Sequence, residues 1–135
     1  MGMSWTLDKD SLKKLAGVKP ELQLVVHYAA EICPIPFAIV SGSRTQAQQN
    51  ALFAQGRTRP GSIVTWTTHS RHIGGNAVDY AVMKNGKIDW HDLKPYPVIA
   101  KYFKGAARVL KTPIEWGGDW KKTPDWGHVQ LKAKK

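Results

Sequence analysis

The chain has 135 residues, of which 42% are hydrophobic and 22% charged, enough for one folded domain with a buried core and too apolar for a disordered chain. No apolar run approaches the ~18 residues a membrane-spanning helix needs, and a single cysteine, Cys33, excludes an intrachain disulfide. Twenty Lys and Arg against ten Asp and Glu leave a formal net charge of +10, which favours anionic partners through long-range, salt-sensitive attraction.

In chain order, Asp10–Leu15 reads as a short capped helix. Pro20–Ile32 reads as a longer one, with Leu22, Val25, Val26 and Ala29 on a single face. Cys33 lies in the apolar run Ile-Cys-Pro-Ile and reads as core. Phe37–Val40 is a short buried strand, and Arg44–Gln55 is helical, stopped by Gly56. Residues 57–68, with Pro60 and Gly61, form a loop placed to overhang the site. Asn76–Met83 and Lys87–Trp90 form a hairpin across Lys84-Asn85-Gly86, since Asn-Gly favours such turns. Pro97–Leu110 is a helix with Val98, Ile99, Tyr102, Phe103, Ala106 and Leu110 inward. Ile114–Trp116 and Val129–Leu131 complete the set. The expected fold class is α+β, a small and mostly antiparallel sheet flanked by helices, in one domain over residues 1–135.

Two segments carry the chemistry: Ser70-Arg71-His72-Ile73-Gly74-Gly75-Asn76-Ala77-Val78-Asp79 and Asp125-Trp126-Gly127-His128. They offer two imidazoles and a carboxylate suited to one metal ion, and a further carboxylate three residues before the last imidazole. A catalytic zinc keeps three protein ligands and an open position for water. The ion lowers the pKa of that water from about 15.7 toward about 7, and an unligated carboxylate can take its proton. On this reasoning His72, Asp79 and His128 are the metal ligands, with one Zn²⁺ per chain, and Asp125 transfers the proton.

The pattern Ser-x-His-x-x-Gly-x-Ala-x-Asp, at Ser70, His72, Gly75, Ala77 and Asp79, with Asp-x-x-His at Asp125 and His128, resembles the zinc peptidases that cleave bacterial cell-wall peptides. These are the D-alanyl-D-alanine carboxypeptidases, the vancomycin-resistance D,D-dipeptidases and the phage L-alanyl-D-glutamate endopeptidases. The likeness spans roughly residues 36 to 131 and implies a hedgehog/D,D-peptidase-like fold with the roles already given. It adds Arg44, in Ser41-Gly42-Ser43-Arg44, as the group that stabilises a developing oxyanion. Many members use Glu as the base, so Asp at 125 fits the phage endolysin branch better. The resemblance therefore implies an L-alanyl-D-glutamate endopeptidase acting on peptidoglycan stem peptides in host lysis. A D,D-carboxypeptidase of the same fold is the alternative, as is a non-catalytic, zinc-containing wall-binding domain.

The N-terminal residues have no apolar signal core, so the protein is expected to stay in the host cytoplasm until it is released to the cell wall. It is expected to act as a monomer. The basic stretch with Arg44, Arg57, Arg59 and Arg71, and the cluster Lys121, Lys122, Lys132, Lys134 and Lys135, suit an anionic cell envelope. No recognised nucleic-acid motif accompanies them, and no specific nucleic acid is expected as a partner. His69 reads as a substrate contact or loop residue rather than a third imidazole ligand. Asp119 reads as a turn or positioning residue, and Glu115 is left with the same ambiguity. His27 reads as a core or surface histidine, and His91 as part of a turn.

Overall fold

The computed structural model describes residues 5–65 and 67–132; Lys134 and Lys135 of the basic cluster lie outside them. Helix α1 (Lys9–Leu15) starts where the Asp8 carboxylate accepts from the Ser11 amide at 2.8 Å. Ser11 is fully buried, and its hydroxyl accepts from the Ile39 amide at 2.9 Å, tying α1 to strand β1 (Phe37–Ser41). Helix α2 (Pro20–Ile32) opens on a proline, whose missing N–H costs nothing there. The four residues expected on its apolar face are all completely buried, and Cys33 is core as expected.

Helix α3 (Gln46–Ala54) begins later than expected. Thr45 and Gln48 exchange side-chain and backbone hydrogen bonds in a capping box, so the helix starts after Thr45 and leaves Arg44 in extended backbone, bridged to Ile73. Strands β2 (Ala77–Lys84) and β3 (Lys87–Asp89) form the expected hairpin, with Asn85 and Gly86 both at positive φ. β3 stops one residue early: the Asp89 carboxylate accepts from the amides of His91 and Asp92, turning the chain and releasing Trp90 from the sheet.

Helix α4 (Pro95–Val109) begins two residues before the expected start, with Pro95 in its first turn. Its buried stripe runs through Tyr96, Ile99, Ala100, Phe103, Ala106 and Ala107, while Val98 is exposed, contrary to expectation. The Tyr96 hydroxyl explains this rotation. It accepts from the Val82 amide and donates to the Asp89 carbonyl, drawing Tyr96 to the sheet. Strand β4 (Ile114–Trp116), a short 3₁₀ turn (Gly117–Asp119) and strand β5 (His128–Leu131) finish the chain.

The sheet is antiparallel in the order β1-β2-β5-β4. β5 pairs with Ala77–Asp79 and β3 with Val82–Lys84, so the two share one edge of β2. Side chains alternate across a sheet. Val78, Tyr80 and Val82 of β2 face the core with Phe37, Ile39, Val129 and Trp116, beneath α2 and α4. There Phe103 packs on Phe37 and Tyr80, with ring centroids 5.2 and 5.1 Å apart. The register puts Asp79 opposite His128, Ala77 opposite Gln130, and Gln130 opposite Glu115. Those polar groups therefore share the face turned away from the core.

Candidate metal centre

His72 is set by its own turn. The Ser70 hydroxyl accepts from the His72 amide at 3.1 Å, and the His72 carbonyl accepts from the amides of Gly75 and Arg44. Gly75 has φ +80°, and a side chain on it would meet the Gly17 carbonyl and the Val18 backbone, so glycine is needed on both counts. The ring is almost wholly buried. Its Nδ1 lies 2.8 Å from the Gly42 carbonyl, an acceptor only, so Nδ1 carries a proton and Nε2 is the nitrogen that faces Asp79 Oδ2, 3.1 Å away. Gly42 comes this close because it has no Cβ, which would overlap the Lys14 carbonyl.

His128 is fixed by a second chain of contacts. Gln130 Nε2 donates to Glu115 Oε2 at 2.9 Å, which turns the Gln130 carbonyl oxygen toward His128 Nε2, also at 2.9 Å. His128 Nδ1 is left facing Asp79 Oδ1 at 3.0 Å. The two rings are 5.2 Å apart, edge to face. One donor atom from each of His72, Asp79 and His128 lies within 4.8 Å of the others.

The donor set fits a divalent cation such as zinc. Both imidazoles commit one nitrogen to an acceptor and aim the other at a single carboxylate, and two neutral imidazoles with one carboxylate are a catalytic zinc donor set. Burial would raise the Asp79 pKa, but hydrogen bonds from His128 and His72, and their charges, hold it well below the ordinary carboxylate range. Burial alone would lower the His128 pKa, but the Asp79 contact outweighs this and raises it.

The three residues sit in a cleft of about 470 Å³ that Arg44, His69, Arg71, Trp120 and Asp125 also line. Asp125 stands on the solvent-facing side; loss of hydration, then the negative charge of Asp79, raises its pKa. Its amide donates to the Gly117 carbonyl at 2.9 Å, and its carboxylate accepts from the Gly127 amide at 3.3 Å. Arg44 donates to Gln49 Oε1 at 2.7 Å and to Ser41 Oγ at 2.9 Å. All five residues singled out in the sequence thus reach one cleft.

Two groups were missed. Gln49 is fully buried, and its amide nitrogen donates to the Thr67 carbonyl at 2.6 Å and to the Thr65 hydroxyl at 3.2 Å, so one side chain holds both Arg44 and the overhanging loop. Gln130 orients His128, and Glu115 orients Gln130, which gives Glu115 a place. The available signal was the i, i+2 spacing of His128 and Gln130 on one strand face. His69 is exposed at the cleft and falls outside the ligand group. Asp119 pairs with Lys104 at 2.7 Å instead. His27 is a surface residue, and the His91 amide takes part in the Asp89 turn.

A His–Asp–His group on the open face of a small antiparallel sheet, with a further carboxylate at the cleft, is a metallopeptidase arrangement. The vancomycin-resistance D,D-dipeptidase VanXYg shares the fold at TM-score 0.52 and 22% identity, over 93% of this chain and 50% of that one. The chain belongs to the phage L-alanyl-D-glutamate peptidase family, which matches residues 3–133. It is 41% identical over 130 residues to the L-alanyl-D-glutamate peptidase of Escherichia phage T5, covering 96% of this chain and 91% of the relative. It is 32% identical over 115 residues to the peptidoglycan L-alanyl-D-glutamate endopeptidase CwlK of Bacillus subtilis, covering 72% and 61%. The crystal structure of the Serratia marcescens L-Ala D-Glu endopeptidase ChiX matches at TM-score 0.81 and 33% identity, over 96% of this chain and 90% of that one. The family and fold expected from the two motifs are borne out.

Proposed function

We propose that the protein is a zinc peptidase that hydrolyses the L-alanyl–D-glutamate bond of peptidoglycan stem peptides, with His72, Asp79 and His128 as ligands, Asp125 as base and Arg44 at the oxyanion. The observation that carries this is the matched pair of imidazoles, each with one nitrogen committed elsewhere and the other turned to Asp79. Zinc bound there supplies a water acidified from a pKa of about 15.7 to about 7 and a Lewis acid for the scissile carbonyl. Asp125, whose raised pKa makes it a better proton acceptor, takes the proton of the attacking water and hands it to the leaving amine of D-glutamate. Arg44, held by Gln49 and Ser41, steadies the negative charge that grows on the carbonyl oxygen. Buried Gln49 keeps Thr65 and Thr67 beside that arginine.

The use we assign is host lysis by a phage: the protein accumulates in the cytoplasm and acts once the membrane is opened, with its positive charge drawing it to the anionic envelope. Mass spectrometry of purified peptidoglycan after digestion tests the chemistry. New N-terminal D-glutamate (or its amide) on cleaved stems, abolished by a chelator and restored by zinc, is the expected result. Released D-alanine overturns the bond assignment, and digestion unaffected by chelation overturns the metal.

A further inference from the structure

A second depression, of about 510 Å³, meets the metal cleft along Asp79, Thr123 and Asp125, which line both. Its character is opposite. The cleft presents Arg44, Arg71 and three histidines. Among the described residues, no Lys, Arg or His lines the second depression, and its acids are the two shared aspartates. Its walls include Trp90, Leu93 and Trp126, which are 58%, 48% and 37% exposed. Large apolar side chains left open beside a catalytic centre are characteristic of a ligand groove. Trp90 reaches it because the Asp89 turn ends β3 one residue early. Trp126 is braced edge-on against Trp116, whose indole donates to the Trp126 carbonyl at 2.8 Å. The dividing ridge carries Thr123 at φ +45°, a strained conformation for a β-branched residue.

The substrate has the same asymmetry about the scissile bond, provided the peptidase reading proposed above holds. Beyond D-glutamate it bears free carboxylates. Before L-alanine it continues, through an amide, into the lactyl ether of an amino sugar whose ring presents apolar C–H faces. We infer that the Trp90–Leu93–Trp126 groove is a sugar subsite: it holds the muramyl residue that carries the stem, while the basic cleft takes the carboxylate-bearing side. The enzyme then recognises glycan-attached stems in preference to free peptide. Stacking on indole faces, with no basic side chain in the groove, is the recognition chemistry it offers.

The test compares kcat/KM of the zinc-loaded protein on a disaccharide-tetrapeptide with that on the same tetrapeptide without sugar. The native protein is expected to prefer the sugar-bearing substrate by about tenfold or more, seen mainly in KM, and Trp90→Ala or Leu93→Ser to cut that ratio about fivefold or more. Equal use of both substrates by the native protein, or a ratio unmoved by both variants, overturns the subsite. Independently of turnover, the Trp90 indole N–H resonance is followed while the peptide-free disaccharide is titrated in. A saturable shift supports the groove, and no shift, or an equal shift with sugar-free peptide, overturns it. If neither substrate is cut, the peptidase reading fails and the titration alone decides the groove.

Discussion

The Gln130→Leu substitution tests the tautomer argument directly. His128 is nearly buried, and its Nε2 has the Gln130 carbonyl oxygen as partner at 2.9 Å. Leucine keeps the bulk and removes that acceptor, leaving a buried N–H that costs about 1–3 kcal/mol if the ring stays in place. The ring can escape by carrying its proton on Nδ1, the nitrogen proposed to face the metal. Either route weakens binding, and loss of such an outer partner typically costs about 10–100-fold in metal affinity. Zinc affinity, measured by competition with a chromophoric chelator, should fall by that factor while the circular dichroism spectrum is unchanged. Glu115→Ala should give a smaller loss, because it only frees Gln130 to rotate. A zinc affinity for Gln130→Leu within twofold of native would refute the claim that this hydrogen bond sets the ligand nitrogen.

Two further substitutions have clear signs. Asp125→Asn should retain zinc and lower kcat by about 10²–10⁴; because loss of hydration and the Asp79 charge raise the Asp125 pKa, its carboxyl in the metal-free native protein, followed by NMR, should titrate above the usual Asp value near 3.8, and the metal-free variant should melt no lower than native at neutral pH. Asp8→Ala should cost about 1 kcal/mol through the lost α1 cap. The Ser11 hydrogen bonds depress the folded Asp8 pKa below 3.8, so this contribution is complete above that value and lost as pH falls through the lowered native pKa; the gap between native and Asp8→Ala in urea titrations should close in strong acid and stay open at pH 6.

The parts of the fold legible in the sequence are those governed by local physics. α2 runs between its predicted ends because a proline opens it and one apolar stripe fixes its buried face. The two motifs were legible because a turn and two strands impose short-range spacing on the residues they carry. The start of α3 was misjudged because a run of good helix formers hides the Thr45–Gln48 box, and that error placed Arg44 in a helix when it lies in extended backbone. The inward face of α4 was misjudged at Val98 because the tie from Tyr96 to Val82 and Asp89 is tertiary. Gln49 carried no sequence signal of its role, and Gln130 only its i, i+2 spacing from His128, since Gln49 meets Thr65 and Thr67, and Gln130 meets Glu115, only after the chain folds. Uncharged amides in polar runs look like surface until their partners are known.

Asp79 and His128 are cross-strand neighbours, and His72 lies in the turn that precedes β2. A cation held by all three is a cross-link between the middle of the chain and its last strand, made without cysteine. It shortens the loops open to the unfolded chain, the effect a disulfide has in other small proteins. Under the proposed function, endurance and activity draw on the same atom: stripping the ion should expose β5 to proteases as it silences the enzyme, so the lifetime of the folded protein should follow the free metal concentration around it.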